Sequence, residues 1–439
     1  MKIYKDTKVY VQCAAGLATG GPELLHQFAS YLISRGVSAY MLYTGKKCED
    51  PVCDCYKHYH IPYTDSVEND EKNILIISET ATDVLYHDDL KPRKIIWWLS
   101  VDNFFKFNAA NYIKISEAAL EKKFIRYYAF EPEMRVEHWA QSEYAKQFLM
   151  FNGVPESDIK MVTDYLNLIF LDDLVAKRGT HEEILKEDMV LFNPKKGLEF
   201  TQKLMEYAPD ITWKPIINMT RAEVLQSLYR AKVYIDFGNH PGKDRLPREA
   251  AVSGAVVITG KRGAAGNSVD VPVSDSYKFE DCDEAIPKIV EKIRYAFKEY
   301  DKCVPDFSDY IDSVFREPLK FRNEVDSALQ FDTEVAKPTV CIMSCSNDDM
   351  LKAALWLKND GRYKTEYALN DNLNGKSIDF MQTDICFIDT GYARQLYLEG
   401  RINRFVCGRE IENDQAYYID LIRKIGIDDE DWEIIPTGI

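Results

Sequence analysis

The chain has 439 residues, 46% hydrophobic and 29% charged, which is too long for one ordinary core and implies two or three folded units without a long disordered arm. Its 55 Lys and Arg against 71 Asp and Glu leave a net charge of −16, which excludes a surface built to track nucleic-acid phosphates and requires any bound phosphate to be held locally. No run of about 18 apolar residues could span a bilayer, and the opening MKIYKDTKVYVQC is too polar for a signal-peptide core, so a cytoplasmic protein is expected, with peripheral contact at the inner membrane face left open.

In chain order, a strand over Lys8 to Cys13 leads through the loop AAGLATGG to a helix from about Pro22 to Arg35, stopped by Gly36. Leu24, Leu25, Phe28 and Leu32 share one face of that helix, and the strand Val37 to Tyr43 follows at once. Apolar runs at Ile74 to Ile77, Lys94 to Leu99 and Val136 to Ala140, with a helix over Ser142 to Asn152, extend this βαβ opening into a parallel sheet covered on both faces. The first unit is placed at residues 1–175.

A second series, residues 176–330, starts with the strand Met189 to Phe192 and a helix after Gly197. It continues with a strand near Trp213 to Ile217 and a helix over Arg221 to Ala231. Thr220 and Glu223 supply a capping box for that helix. Strand Lys232 to Phe237, helix Pro247 to Ser253 and strand Ala255 to Thr259 complete the sheet, and Asp283 to Glu299 and Tyr310 to Leu329 read as helices. Residues 331–439 form a further α/β module of unassigned role, with strands Thr339 to Ser344, Asp384 to Asp389 and Phe405 to Cys407. Its helices are expected at Asp348 to Leu357 and from Asn413 to Ile425. The fold class is therefore α/β, with two Rossmann-like domains facing a cleft and a C-terminal accessory module.

Ten cysteines are scattered along the chain and read as reduced thiols. The cluster Cys48, Cys53, Cys55, His58 and His60 lacks a CxxC pair and reads as a loop, so no metal site is assigned.

One segment departs from the composition of the rest. Residues 238–267, GNHPGKDRLPREAAVSGAVVITGKRGAAGN, carry five basic residues, Lys243, Arg245, Arg248, Lys261 and Arg262, against Asp244 and Glu249, a local charge of +3. The segment lies between two predicted strands at the carboxyl edge of the second sheet, where open α/β folds bind ligands. The free N–H groups of a helix start at Pro247, with the basic side chains, suit a diphosphate, and small residues such as Gly263 let a bulky ligand approach the backbone.

REAAVSGAVVIT within that segment resembles the donor-binding helix and strand of GT-B glycosyltransferases. VLFNPKKG (190–197) resembles the opening strand of their second domain, and Gly20, Gly21, Pro22 and Glu23 match a GGxE helix start in their first. Closer likeness, at WWLSVDNF (97–104), QSEYA (141–145) and YIDFGNHPGKDRLPREAA (234–251), is to glycosyltransferase-like proteins of bacterial capsule and surface-polysaccharide clusters. The resemblance implies a nucleotide-sugar donor and a saccharide or lipid-linked glycan acceptor, with no metal and no other cofactor. It implies that Glu249 accepts hydrogen bonds from the donor ribose, that Lys196, Lys243, Arg245 and Arg248 neutralise the diphosphate, and that Gly20, Gly21 and Gly263 line the donor site.

The commonest retaining pattern has a second acid eight positions before Glu249, where this chain has Pro241. His240 or Asp244 would have to stand in, so retention or inversion stays open. Inversion would need a base from the first domain, and Asp102 is the candidate, although Asp102-Asn103 is equally ordinary turn chemistry. Trp97 and Trp98 suggest sugar stacking, but adjacent strand residues face opposite ways and at least one should be core. His138 reads as structural, and His26 as a residue that could face the cleft. A nucleotide-sugar epimerase of the same fold, or an inactive scaffold docking a partner protein through the C-terminal module, are the competing readings, since fold alone does not fix function.

Overall fold

Apolar strands alternating with amphipathic helices build three of the four sheets among the described residues; the fourth is a short two-stranded pair. The structure is a computed structural model and describes residues 1–45, 50–107, 128–130, 134, 136–167, 170, 185–331, 339–344, 347–360, 363–380, 383–407, 415–428 and 431–434.

The first sheet contains β1 (Lys8–Ala14), β2 (Ser38–Thr44), β3 (Tyr63–Thr64), β4 (Ile74–Ser78), β5 (Arg93–Trp98), β6 (Glu137–Ala140) and β7 (Ile159–Met161). All pair in parallel, in the order β3-β2-β1-β4-β5-β6-β7. Parallel strands need crossovers, and α1 (Gly20–Ser34) and α2 (Glu143–Phe151) supply two of them. Leu24, Leu25, Phe28 and Leu32 of α1 are buried, as their spacing predicts. With both faces covered, adjacent residues of β5 are both core: Trp97 and Trp98 are each 0% exposed, which removes the sugar-stacking reading. Trp97 packs on Phe28 and Trp139 on one face, and Trp98 on Phe104 and Phe130 on the other.

The second sheet has β8 (Glu187–Phe192), β9 (Thr212–Pro215), β10 (Ala231–Asp236) and β11 (Val256–Thr259), again parallel, in the order β9-β8-β10-β11. Helices α3 (Leu198–Tyr207), α4 (Arg221–Arg230) and α5 (Arg245–Val252) connect them. The capping box of α4 is present in both directions: Thr220 Oγ1 accepts from Glu223 N at 3.3 Å and Glu223 Oε2 from Thr220 N at 2.7 Å. Helix α5 starts two residues earlier than predicted, which leaves Pro247 within its first turn. After α6 (Ile286–Lys298), the 21-residue α7 (Ser308–Ala328) returns to the first domain. There Glu324 Oε2 accepts from Thr163 N at 2.7 Å, and Lys2–Ile3 pair in parallel with Gln330–Phe331.

The third sheet holds β12 (Thr339–Met343), β13 (Lys364–Leu369), β14 (Ser377–Phe380), β15 (Thr383–Ile388), β16 (Arg404–Cys407) and β17 (Trp432–Ile434) in the order β14-β15-β13-β12-β16-β17. Apart from β14, antiparallel to β15, these strands are parallel. Their helices are α8 (Asn347–Asp360), α9 (Thr390–Leu398) and α10 (Gln415–Ile425); Asn413, the expected cap of α10, lies outside the described residues. Strands β13, β14 and β17 escape the sequence reading because their charged and polar residues dilute the apolar pattern. One hydrophobic core runs from α1 and both body sheets into α9, β16 and α10, so this module is packed on the body.

Candidate functional site

In the first sheet β1 sits between β2 and β4, so the connections leave it in opposite directions; in the second sheet the same reversal occurs between β8 and β10. Open parallel sheets bind ligands in the crevice at the carboxyl ends of such strands. The two crevices meet in one cleft of about 650 Å³. The first domain contributes Gly20, Gly21, Leu99, Ser100, Asn103 and Gln141; the second contributes Asn193, Lys196, Asp236, the turn from Pro241 to Leu246, and Glu249. A Cβ on Gly242 would lie 2.6 Å from Gln141 Oε1 and 2.8 Å from Leu99 O, so the two domains touch here through a residue that cannot be enlarged. Lys243 N donates to Gln141 Oε1 at 3.0 Å and Val101 N to Pro241 O at 3.1 Å across the same seam.

The cations of the 238–267 segment do not stand free. Lys243 Nζ pairs with Glu317 Oε1 at 2.6 Å, and Arg248 with Glu317 Oε2 at 2.7 Å and Asp164 Oδ2 at 2.5 Å. Arg245 Nη1 meets Glu23 Oε2 at 2.6 Å, and its Nη2 meets Glu249 Oε1 at 3.4 Å. Lys261 pairs with Glu280 and Arg262 with Asp281. The local excess of positive charge is thus cancelled by carboxylates distant in sequence, chiefly Glu23, Asp164 and Glu317.

This sorts the predicted donor residues. Glu249, Arg245, Lys196, Gly20 and Gly21 line the cleft. Lys243 lines it too, with its ammonium paired to buried Glu317. Arg248 is 1% exposed and does not line the cleft; burial opposes its charge, yet Asp164 and Glu317 outweigh that and hold its pKa above the ordinary value. It serves as a buried tie between α5, α7 and the first domain. Gly263 also lies away from the cleft: its φ is +62° and a Cβ there would sit 2.0 Å from His240 O, so backbone approach to the protein itself requires the glycine.

His240 is fully buried and does not face the cleft. Its ring lies between Asp236 and Asp244, and these three are the described residues whose ligand atoms, within 4.8 Å of one another, could surround a metal ion. Each ring nitrogen faces a different carboxylate, which suits a two-donor imidazolium better than a ligand sharing one ion with both. Asp102 is half-buried at the start of helical residues 101–107, beside cleft residues Ser100 and Asn103, and accepts a hydrogen bond from Asn239 of the second domain.

Some contributors were not singled out from sequence. Glu79, buried after β4, accepts from Leu99 N at 2.9 Å beneath the cleft wall, and burial pushes its pKa up to about 7. Asp164 and Glu317 lack any motif; Asp236, the last residue of β10, had its position as a signal. His138 is structural as expected, its Nδ1 accepting from Trp98 Nε1 at 3.0 Å and its pKa pushed down to about 4 by burial. His26 is buried rather than in the cleft, bonded to Pro22 O and Tyr43 OH, each at 2.7 Å. Cys53 and Cys55 are free thiols with sulfurs 3.2 Å apart, and Cys48 lies outside the described residues.

Solved structures share this architecture. HepE of Anabaena, in complex with UDP and glucose, matches with a TM-score of 0.50 at 11% identity over 73% of this chain and 99% of its own. Its complex with UDP gives the same score, identity and coverage. The chain has the GT-B fold. A sucrose-phosphate synthase from Thermosynechococcus elongatus aligns at 10% identity with a lower TM-score of 0.46. No protein-family model and no curated protein matches the chain. Likeness at these identities establishes the GT-B architecture and says nothing of the substrate. About a quarter of the chain falls outside the GT-B body shared with HepE.

Proposed function

We propose that this chain is a glycosyltransferase, moving a sugar from a nucleotide-sugar donor to a saccharide or glycan acceptor, with a place in bacterial surface-polysaccharide synthesis. The observation that carries it is the convergence of Glu249, Arg245 and Lys196 with Gly20 and Gly21 in a cleft between two switch points. Glu249 Oε1 has its cationic neighbour, Arg245, at a loose 3.4 Å, which leaves acceptor capacity for ribose hydroxyls. Arg245 and Lys196 are cations of the 190–266 region that line the cleft, each about one quarter exposed. The first turn of α5 adds N–H groups with no side-chain cap from Asp244. Departure of a nucleoside diphosphate builds charge on its β-phosphate, and preorganised cations and N–H groups lower that barrier by electrostatic stabilisation. These residues supply the stabilisation themselves, and the reading requires no metal.

The acceptor enters from the first-domain side, where Ser100, Asn103 and Lys106 line the cleft. In an inverting reaction Asp102 beside them takes the acceptor proton, released from Asn239 as the acceptor binds. HepE of Anabaena, which shares the fold, is in complex with UDP and glucose; a nucleotide-sugar donor and a saccharide acceptor for this chain rest on the cleft residues. No helix among the described residues is long and apolar enough to cross a membrane; a lipid-linked acceptor would bring the chain to the membrane surface.

A thermal-shift panel of UDP-, GDP-, CMP- and dTDP-sugars in EDTA tests the proposal. One donor at about 100 times its dissociation constant should stabilise the native protein by roughly 2.7 kcal/mol, and Glu249→Ala should abolish the response. A flat panel, or an unaltered response in Glu249→Ala, rejects the assignment.

A further inference from the structure

Beneath the cleft, the turn from β10 to α5 is pinned at both sides. Gly238 N donates to Asp236 Oδ1 at 3.0 Å, Ala264 N to His240 O at 2.8 Å, and Val101 N to Pro241 O at 3.1 Å. Inside this turn the His240 side chain is 0% exposed, with Nε2 3.4 Å from Asp236 Oδ1 and Nδ1 3.0 Å from Asp244 Oδ2. Asp236 Oδ2 accepts from Tyr234 OH at 2.9 Å, and Asp244 Oδ2 accepts from Lys196 Nζ at 2.6 Å. Ionised carboxylates only accept hydrogen bonds, and a neutral imidazole has a single N–H. A neutral ring would therefore aim a lone pair at one carboxylate in a buried site. A cationic ring offers a donor toward each.

We infer that His240 is a buried imidazolium that acts as a positioning residue, neutralising the carboxylate floor of the cleft so that Lys196 stays available to the donor diphosphate. This rests on the nucleotide-sugar reading of the cleft. Asp236, Asp244 and Lys196 line the cleft and His240 lies behind them. With a cationic ring these four groups are neutral together. With a neutral ring they carry one net negative charge below the place where a dianionic or trianionic group must sit, and Asp244 has Lys196 as its sole cationic partner among these groups. At low dielectric such a charge acts strongly over a few ångströms. The protonation state agrees with the geometry: burial opposes the charge, but the contacts to Asp236 and Asp244 outweigh it and lift the pKa to about 9. Asp236, raised by burial, is brought below its ordinary value by the facing His240 ring. Two residue types and their spacing make the arrangement, acid at 236, histidine at 240 and acid at 244, all on one turn.

The test has two arms on the full chain. In the first, ¹⁵N spectra of imidazole-labelled protein at pH 7.5, with His240→Gln to assign the signal, should show both ring nitrogens of His240 protonated; a neutral ring overturns the inference. In the second, inorganic pyrophosphate is titrated into native protein, His240→Gln, and the double variant His240→Gln/Asp244→Asn. His240→Gln should bind pyrophosphate at least tenfold more weakly, about 1.4 kcal/mol, and removing the Asp244 charge should restore most of that affinity. A folded His240→Gln with native affinity, or a double variant as weak as the single, overturns this role and leaves the donor assignment standing. A native protein that binds neither pyrophosphate nor any nucleoside diphosphate sinks the donor assignment and this role together. If His240→Gln does not fold, the ring spectrum of the native protein, assigned by elimination against the other six histidines, decides.

Discussion

Replacing Arg248 by Met separates the structural role seen here from the diphosphate role that sequence resemblance implies. The guanidinium is 1% exposed and meets Glu317 at 2.7 Å and Asp164 at 2.5 Å. Breaking a buried pair by removing one partner costs about 3–5 kcal/mol, because the remaining charge is left uncompensated. Here Glu317 keeps Lys243 at 2.6 Å and Asp164 keeps Gln141 Nε2 at 2.8 Å, so the lower end applies, about 3 kcal/mol. With a urea dependence near 3 kcal/mol per molar, the unfolding midpoint should fall by roughly 1 M. Adding Glu317→Gln should cost less than the two single changes combined, since the variants share one network. Donor affinity of the folded variant, read by the same titration as for native protein, should stay within about threefold. A midpoint shift under about 0.3 M together with a tenfold loss of donor affinity would refute this and return Arg248 to the diphosphate.

Two further outcomes follow from buried features. Glu79 has its pKa raised from 4.5 to about 7 by burial, so the folded state binds its proton more tightly than the unfolded chain. Native stability should therefore fall as pH rises from about 4.5 to about 7, by roughly 3 kcal/mol, and Glu79→Gln should flatten that slope in urea titrations at each pH; a slope unchanged in the variant sinks the assignment. Gly263→Ala places a Cβ against His240 O at a φ of +62° and should lower stability by more than about 1–3 kcal/mol, with Gly266→Ala, which would meet Lys261 O at 2.6 Å without the positive φ, less affected. Equal losses in the two would show that contact rather than backbone conformation decides.

The body of the fold was legible because its strands and helices state their period locally. The α1 face of Leu24, Leu25, Phe28 and Leu32, the Thr220–Glu223 box and the apolar runs of β4, β8 and β11 each need fewer than a dozen residues to be recognised. The cleft was legible to the extent that short segments supplied it: Glu249, Arg245 and Lys196 came from two stretches of the second domain. What escaped depends on residues far apart in sequence. Glu317 lies 69 positions from Arg248 and Glu23 lies 222 from Arg245, so no window could show that the basic segment is neutralised. His240 was legible as an unusual residue but not as a buried one, because burial of a turn depends on Gly263 and the first domain closing over it.

The packing of the C-terminal module on α1 constrains how the protein can be divided. Gly400 φ is +72° and a Cβ there would strike the Tyr31 ring at 2.6 Å, while the Arg322 guanidinium of α7 stacks over Tyr397 at 4.5 Å. Helix α1 is a rod about 22 Å long with the glycine pair of the cleft at one end and Tyr31 and Ser34 under the module at the other. A chain cut after residue 331 would strip Gly400 from Tyr31 and Tyr397 from Arg322, uncovering both at the end of the rod opposite the cleft.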